Sequence, residues 1–111
     1  MHTAEIDMRH CIEQCLNCYK VCYGSAMTHC LERGGEHVEP QHFRLMMACA
    51  EMCRSCAHIL LLNSPLYRSV CRACAEICGQ CAHNCDRLGD MSECADACRH
   101  CAEACEKLSR H

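Results

Sequence analysis

Seventeen of the 111 residues are cysteines, and most of them are separated by alternating steps of three and four residues. The stretch CRACAEICGQCAHNC, residues 71–85, shows the pattern clearly, with five thiols at steps of three, four, three and four. Side chains spaced in this way fall on one narrow stripe of an α-helix, at the a and d positions of a heptad. The pattern therefore predicts a helical core lined by thiols.

Sixteen cysteines occupy such stripe positions, and the seventeenth, Cys30, lies close to one. By predicted helix, the candidate metal ligands are Cys11, Cys15, Cys18, Cys22 and Cys30; Cys49, Cys53 and Cys56; Cys71, Cys74, Cys78, Cys81 and Cys85; and Cys94, Cys98, Cys101 and Cys105. Leu, Ile or Val would fill a core better and would not oxidise, so a purely space-filling role for so many thiols is disfavoured.

Thiols one helical turn apart are poorly placed for disulfides and well placed for a metal ion. Their Cβ atoms are about 5–6 Å apart, whereas a disulfide requires about 3.5–4.5 Å. Two metal–sulfur bonds near 2.3 Å, the zinc–thiolate length, allow the two sulfurs to lie about 4–4.5 Å apart. The spacing therefore favours metal ligation over cross-linking within a helix.

Copper(I) fits this ligand set best. Structural zinc usually takes four ligands in isolated clusters near turns, and ferredoxin-type iron–sulfur runs end in Cys-Pro, whereas neither Pro40 nor Pro65 follows a cysteine. Cu(I) is soft, selects thiolates and thioethers, and accepts few ligands. Because each buried thiolate needs about one monovalent cation, the core predicts multiple Cu(I) ions, on the order of 17 per chain.

Two other classes of protein stay open at this point: a zinc- or iron–sulfur-containing redox or regulatory protein, and a thiol-rich structural bundle without metal. An enzyme is not expected, because a catalytic thiol needs one distinct environment with an oriented base and nothing distinguishes one cysteine here. A binding protein is predicted instead.

The charge and hydropathy patterns argue against several partners. The net charge is −3 with acidic and basic residues interspersed, so neither nucleic acid nor a membrane surface is an expected partner. The longest apolar run, ILLL at 59–62, is far shorter than a membrane span. Residues 1–10 lack the basic start and apolar run of a secretory signal, which favours a cytoplasmic location.

Gly, Pro, Asn and Asp residues interrupt the helical pattern at 34–40, 63–65 and 89–90. They predict a single domain over residues 1–111, with helices at about 4–32, 40–62, 65–88 and 90–109. Short connections between long helices favour antiparallel neighbours. The expected fold is all-α, an antiparallel up-down-up-down four-helix bundle with a cysteine-lined core.

Five residues at or near these interruptions are typical of helix starts, helix ends or caps. Pro40 and Pro65 suit the first helical position, where the missing N–H has no intrahelical partner to lose. Asp90 with Glu93 resembles a capping box, and Gly89 suits the residue just after a helix end.

The two ends of the predicted bundle differ in composition. Beyond the cysteines, the stripe continues at the end that holds both termini as Met8, Leu60, Tyr67 and Leu108, which predicts an apolar plug. At the other end it continues as His42, Met46 and Met91, close to Cys30. Imidazole, thioether and thiol groups at one mouth predict a site where Cu(I) enters and moves inward by ligand exchange.

The chain resembles the bacterial copper storage proteins, and the matching repeats cover nearly its whole length. They are CIEQCLNCYKVC at 11–22, CAEMCRSC at 49–56, CRACAEICGQCAHNC at 71–85 and CADACRHCAEAC at 94–105. The chain is similar to the cytosolic branch of this family, and the resemblance implies a four-helix bundle that stores or buffers Cu(I) inside the cell. It also implies assembly as a homotetramer.

Overall fold

The computed structural model describes residues 3–111, which form an elongated bundle of 47 × 20 × 18 Å. Helix α1 consists of an α-helix Thr3–Ser25, a π-helical turn Ala26–Cys30 and a last α-helical turn Leu31–Arg33, and a short 3₁₀ helix Gly35–Val38 follows it. The other long helices are α2 (Pro40–Leu61), α3 (Tyr67–Leu88) and α4 (Ser92–Ser109). These bounds lie within two residues of the predicted ones.

The four helices pack in a square. α1 contacts α2 and α4, and α3 contacts the same two helices, so that each helix lies beside its neighbours in the chain. No strand occurs within residues 3–111. The predicted all-α, up-down-up-down four-helix bundle is confirmed. None of the helices in this part of the chain combines the length and apolar character needed to cross a bilayer.

The π-helical turn in α1 explains the irregular position of Cys30. A strict heptad continued from Cys22 would bury residues 25 and 29, yet Ser25 and His29 are partly exposed and Ala26 and Cys30 are fully buried. A π turn contains one more residue than an α turn. This extra residue shifts the buried stripe by one position and brings Cys30 into the core.

The helix starts agree with the sequence prediction at α2 but not at α3. Pro40 occupies the first turn of α2, as predicted, and the Glu39 carboxylate accepts hydrogen bonds from the backbone N–H groups of residues 41 and 42. The prediction for Pro65 was wrong. Asn63 adopts a left-handed φ of 56° and Ser64 Oγ accepts from the Leu66 N–H, so Pro65 lies inside a turn and α3 begins at Tyr67.

The predicted capping box at α4 was also wrong. α4 begins at Ser92 after Met91, without a side-chain cap. Asp90 does not cap the helix; its carboxylate instead accepts hydrogen bonds from His37 Nε2 at 2.7 Å and His29 Nε2 at 3.2 Å. Gly89 follows α3 in the left-handed conformation, with φ 88°, as predicted.

The end that holds both chain termini is closed by apolar side chains. Leu60 and Leu108 are buried there, and Met8 and Tyr67 are half-buried and pack against the core. The thiol-lined interior is therefore covered at this end mainly by apolar side chains, with Met8 as the one thioether among the four named.

Candidate metal centre

All seventeen cysteines are free thiols, and none is more than 1% exposed. Each long helix directs its cysteine stripe toward the axis of the bundle, where small alanines such as Ala50 and Ala95 lie beside them. The predicted thiol-lined interior is confirmed. We call the sixteen cysteines other than Cys30 the thiol core.

The sulfur atoms of the thiol core form a continuous network along the bundle axis. In the half nearer the α3–α4 turn, Cys22 Sγ lies 3.3 Å from Cys94 Sγ and 3.4 Å from Cys98 Sγ. Cys49 Sγ continues the network, at 3.8 Å from Cys98 Sγ and 3.7 Å from Cys78 Sγ. These distances leave no gap wider than a bridging ion could span.

The network extends through the other half of the bundle. Cys53 Sγ lies 3.4 Å from Cys78 Sγ and 3.7 Å from Cys101 Sγ. Cys15 Sγ lies 3.7 Å from Cys101 Sγ and 3.8 Å from Cys105 Sγ. All eight of these close pairs join different helices. The sequence spacing suggested pairs one turn apart on one helix, and it could not indicate that contacts between helices would be as close or closer.

Groups of four sulfurs, all buried and within 4.8 Å of one another, recur along the core and share members. Five of them are Cys15, Cys74, Cys101 and Cys105; Cys18, Cys49, Cys53 and Cys78; Cys18, Cys22, Cys49 and Cys98; Cys22, Cys81, Cys94 and Cys98; and Cys53, Cys74, Cys78 and Cys101. Because one sulfur belongs to several groups, the geometry suits ions joined by bridging thiolates rather than separate four-ligand sites.

Two of the buried thiols, at the end of the bundle near the α3–α4 turn, favour the neutral form in the absence of metal. Burial, followed by the charges of Cys94 and Asp90, raises the pKa of Cys30 to about 11. Contacts with Cys81 and Cys94, together with burial, raise the pKa of Cys85. A metal ion must therefore displace protons when it binds these sulfurs.

The interior holds no fixed positive charge to balance thiolates. Among residues 4–111, the buried polar or charged side chains are Asp7, His37, His42 and Ser109, and no Lys or Arg is buried. Uncompensated buried anions are very costly. Any thiolates in this core must be neutralised by the cations that they bind.

The structure brings the four predicted mouth residues together, and we call Cys30, His42, Met46 and Met91 the mouth cluster. Cys30 Sγ lies 3.7 Å from Met46 Sδ, 3.9 Å from Met91 Sδ and 4.0 Å from His42 Nε2. No residue of this cluster is more than 4% exposed. Two thioethers and one imidazole thus lie within 4.0 Å of the Cys30 sulfur, at the end of the bundle opposite the apolar plug.

A surface groove leads to this end. It has a volume of about 480 Å³, lies between the last turns of α1 and the start of α4, and is lined in part by His29, Asp90, Met91 and Cys94. Met91 belongs to the mouth cluster and Cys94 to the thiol core. The groove therefore borders both sets of ligands, at Met91 and at Cys94.

Polar partners of the mouth cluster were not predicted from the sequence. Asn84 Nδ2 lies 2.6 Å from His42 Nδ1, and Arg87 Nη2 donates to Asn84 Oδ1 at 2.6 Å. Both residues lie on the polar face of α3, where the sequence pattern is typical of a solvated surface. Only the packing of α3 against α2 shows that this face borders His42.

The comparisons with known proteins agree with this geometry. The sequence model of the copper storage protein family (Csp) matches residues 4–110. The Nmul_A1745 protein from Nitrosospira multiformis is 46% identical, with 96% of this chain and 97% of that chain covered and a TM-score of 0.93. The Cu(I)-bound copper storage protein BsCsp3 from Bacillus subtilis is 33% identical, with 93% and 98% covered and a TM-score of 0.84.

A curated relative, the cysteine-rich protein YhjQ from Bacillus subtilis strain 168, is 34% identical over 61 residues. That alignment covers 55% of this chain and 56% of the relative, so the match spans little more than half the length of either protein.

Proposed function

Because the chain belongs to the copper storage protein family, we propose that it stores Cu(I), with many ions held by cysteine sulfurs inside the four-helix bundle. The observation that carries this proposal is the thiol core itself: buried, free, closely spaced sulfurs with no buried Lys or Arg among residues 4–111. The likeness to the Cu(I)-bound BsCsp3 structure supports the same metal and oxidation state.

The chemistry follows from the ligands. A Cu(I) ion that replaces a thiol proton keeps the buried site neutral, because one positive charge replaces another. A sulfur that bridges two ions joins neighbouring sites, so the whole network stays neutral when there is one ion for each thiolate. If each ion takes two sulfurs and each sulfur bridges two ions, the capacity is on the order of 17 ions per chain. All seventeen cysteines are ligands in this proposal.

The mouth cluster is the proposed site of copper uptake. His42, Met46 and Met91 surround Cys30, and thioethers bind Cu(I) without a proton to displace. An ion bound there would move inward by exchanging thioether for thiolate ligands, toward Cys94 and the rest of the thiol core. The apolar plug at the opposite end favours this single direction.

We further propose a binding protein without catalytic activity, located in the cytoplasm and assembled as a homotetramer. Large apolar side chains support the assembly: Leu16, Tyr23, Met27 and Leu31 follow one outer face of α1 and are 37–53% exposed. A contiguous apolar face of this kind is typical of a protein–protein contact.

The deciding experiment is an anaerobic Cu(I) titration of the fully reduced protein against a competing chelator. We expect tight uptake on the order of 17 ions per chain, and the same protein should prefer Cu(I) to Zn²⁺ in a competition. Saturation at one to four ions, or a preference for zinc, would contradict the proposal and favour a zinc- or iron–sulfur-containing regulatory protein. A variant with alanine at Cys18, Cys49, Cys53 and Cys78, one of the four-sulfur groups, should lose about four ions by the same one-ion-per-sulfur ratio.

A further inference from the structure

We propose that Asn84, anchored by Arg87, is a positioning residue that holds neutral His42 with its proton on Nε2, so that the imidazole donates an N–H to the Cys30 sulfur instead of a lone pair to copper. The role of this arrangement in copper uptake rests on the proposed function. The protonation of the ring can be measured without any metal.

The hydrogen-bond chain has only one consistent direction. An Arg guanidinium carries donors and no acceptor. Because Arg87 Nη2 lies 2.6 Å from the side-chain oxygen of Asn84, the amide oxygen must face Arg87 and the amide NH₂ must face the ring. That NH₂ group lies 2.6 Å from His42 Nδ1 and can only donate. His42 Nδ1 is therefore the acceptor and carries no proton.

Because Nδ1 accepts a hydrogen bond from Asn84, it holds no proton and the imidazole is neutral. His42 is 1% exposed, and burial followed by the nearby His37 lowers its pKa, with a further lowering by Arg87. Cys94 and Glu39 act in the opposite direction. A neutral imidazole has one protonated nitrogen. With Nδ1 accepting from Asn84, that nitrogen is Nε2.

The protonated nitrogen points at the sulfur that a copper ion would meet. His42 Nε2 lies 4.0 Å from Cys30 Sγ. A nitrogen that carries a proton has no lone pair for a metal, so the ion would bind the sulfurs of Cys30, Met46 and Met91 alone. The N–H meanwhile stabilises negative charge on the Cys30 sulfur when copper replaces its proton.

The absence of an imidazole ligand favours the transfer of Cu(I) from the mouth cluster to the core. A site of one thiolate and two thioethers holds Cu(I) less tightly than a site that also has an imidazole ligand, so the ion passes more readily to the thiolates of the core. By keeping the imidazole from binding copper, Asn84 keeps the affinity of the mouth cluster low enough for the ion to move on to the core. Loss of the Asn84 contact would free the Nε2 lone pair in part of the molecules.

The first test is nitrogen NMR of the metal-free, reduced protein labelled with ¹⁵N in histidine, with the His42 signals assigned by their loss in His42→Gln. We expect a protonated Nε2 and an unprotonated Nδ1. Asn84→Leu and Arg87→Met should each give a mixture of tautomers, whereas Gln80→Leu, which removes an exposed amide one turn away on α3, should leave the signals unchanged. A protonated Nδ1 in the parent protein, or an unchanged tautomer in both variants, would overturn the proposal.

The second test is the rate at which Cu(I) is taken from a chelate, followed by stopped flow. We expect Asn84→Leu to load about twofold more slowly than the parent protein and Gln80→Leu, because about half of the molecules in an even mixture of tautomers lack the Nε2 proton, with the final capacity unchanged. Arg87→Met should show a smaller effect in the same direction. Parent-like rates in variants with a mixed tautomer would overturn the role in uptake. A parent protein that binds only a few ions would instead contradict the storage function while leaving the tautomer assignment intact.

Discussion

The thiol core and the mouth cluster differ in the number and in the variety of their potential metal ligands. In the core, sixteen chemically identical groups overlap in shared four-sulfur groups, so that neighbouring sulfurs can substitute for one another. The mouth cluster instead has one thiol, Cys30, in contact with the imidazole of His42 and the thioethers of Met46 and Met91. We therefore expect capacity to depend on the number of ligands and the rate of uptake to depend on their arrangement.

Removal of copper tests the core as a whole and should have the largest effect. The metal-free core is packed mostly by small Cys and Ala side chains, whereas bound ions would link all four helices. A site occupied at a thousandfold excess over its Kd adds about 4 kcal/mol, and several such sites should raise Tm by more than about 15 °C. Calorimetry of the copper-loaded and metal-free reduced protein measures the difference. Equal midpoints would mean that copper does not bind within the folded core.

The mouth cluster is tested by replacing His42, Met46 and Met91 together with leucine. We expect the rate of Cu(I) uptake to fall by at least about tenfold, because the entering ion loses both thioether ligands and the imidazole N–H beside the Cys30 sulfur, while the capacity falls by no more than the ions held at the mouth. A matched control replaces Met8, Met47 and Met52, which lie outside the cluster, with leucine. Similar rates in the two triple variants would remove the distinction between mouth and core.

Alkaline pH tests the protonation of the buried thiols. Burial raises the pKa of Cys30 to about 11 in the folded state, above the ordinary value of about 8.5 for an unfolded chain. The unfolded protein therefore loses protons first, and the stabilising contribution of the neutral thiol, complete below pH of about 8.5, is lost progressively as the pH rises to about 11. Denaturant unfolding of the metal-free protein across this range should show declining stability. Cys30→Ala should decline less steeply, and an identical slope in this variant would contradict the assignment.

The sequence predicted the core more completely than the mouth, for a physical reason. A repeat of three and four residues directly encodes one helical face, so sixteen cysteines could be placed from spacing alone. Cys30 could be placed only approximately, because its burial depends on a π-helical turn that the repeat does not encode. Contacts such as that of Cys22 with Cys98 depend on the helix packing and had no signal in the spacing.

Polar residues were predicted least well. Asp90 had the sequence context of a helix cap, but its carboxylate accepts hydrogen bonds from His29 and His37, which are distant in the sequence. Asn84 resembled any other residue on a solvated helix face, and its contact with His42 exists only because α3 packs beside α2. Hydrogen bonds between separate elements depend on geometry that a local pattern does not contain.

Single substitutions in the core should have the smallest effects, and they determine whether the thiols act independently. Cys53 and Cys101, whose sulfurs lie 3.7 Å apart, belong to one four-sulfur group. Either Cys53→Ala or Cys101→Ala should lower the capacity by about one ion, with an unchanged uptake rate and a loss of about 1–2 kcal/mol in the free energy of unfolding. If neighbouring sulfurs substitute for one another, the double variant loses about two ions by the same ratio. A loss of about four or more ions in the double variant would instead mean that the shared group binds copper as a unit, and the core would then depend on arrangement as the mouth does.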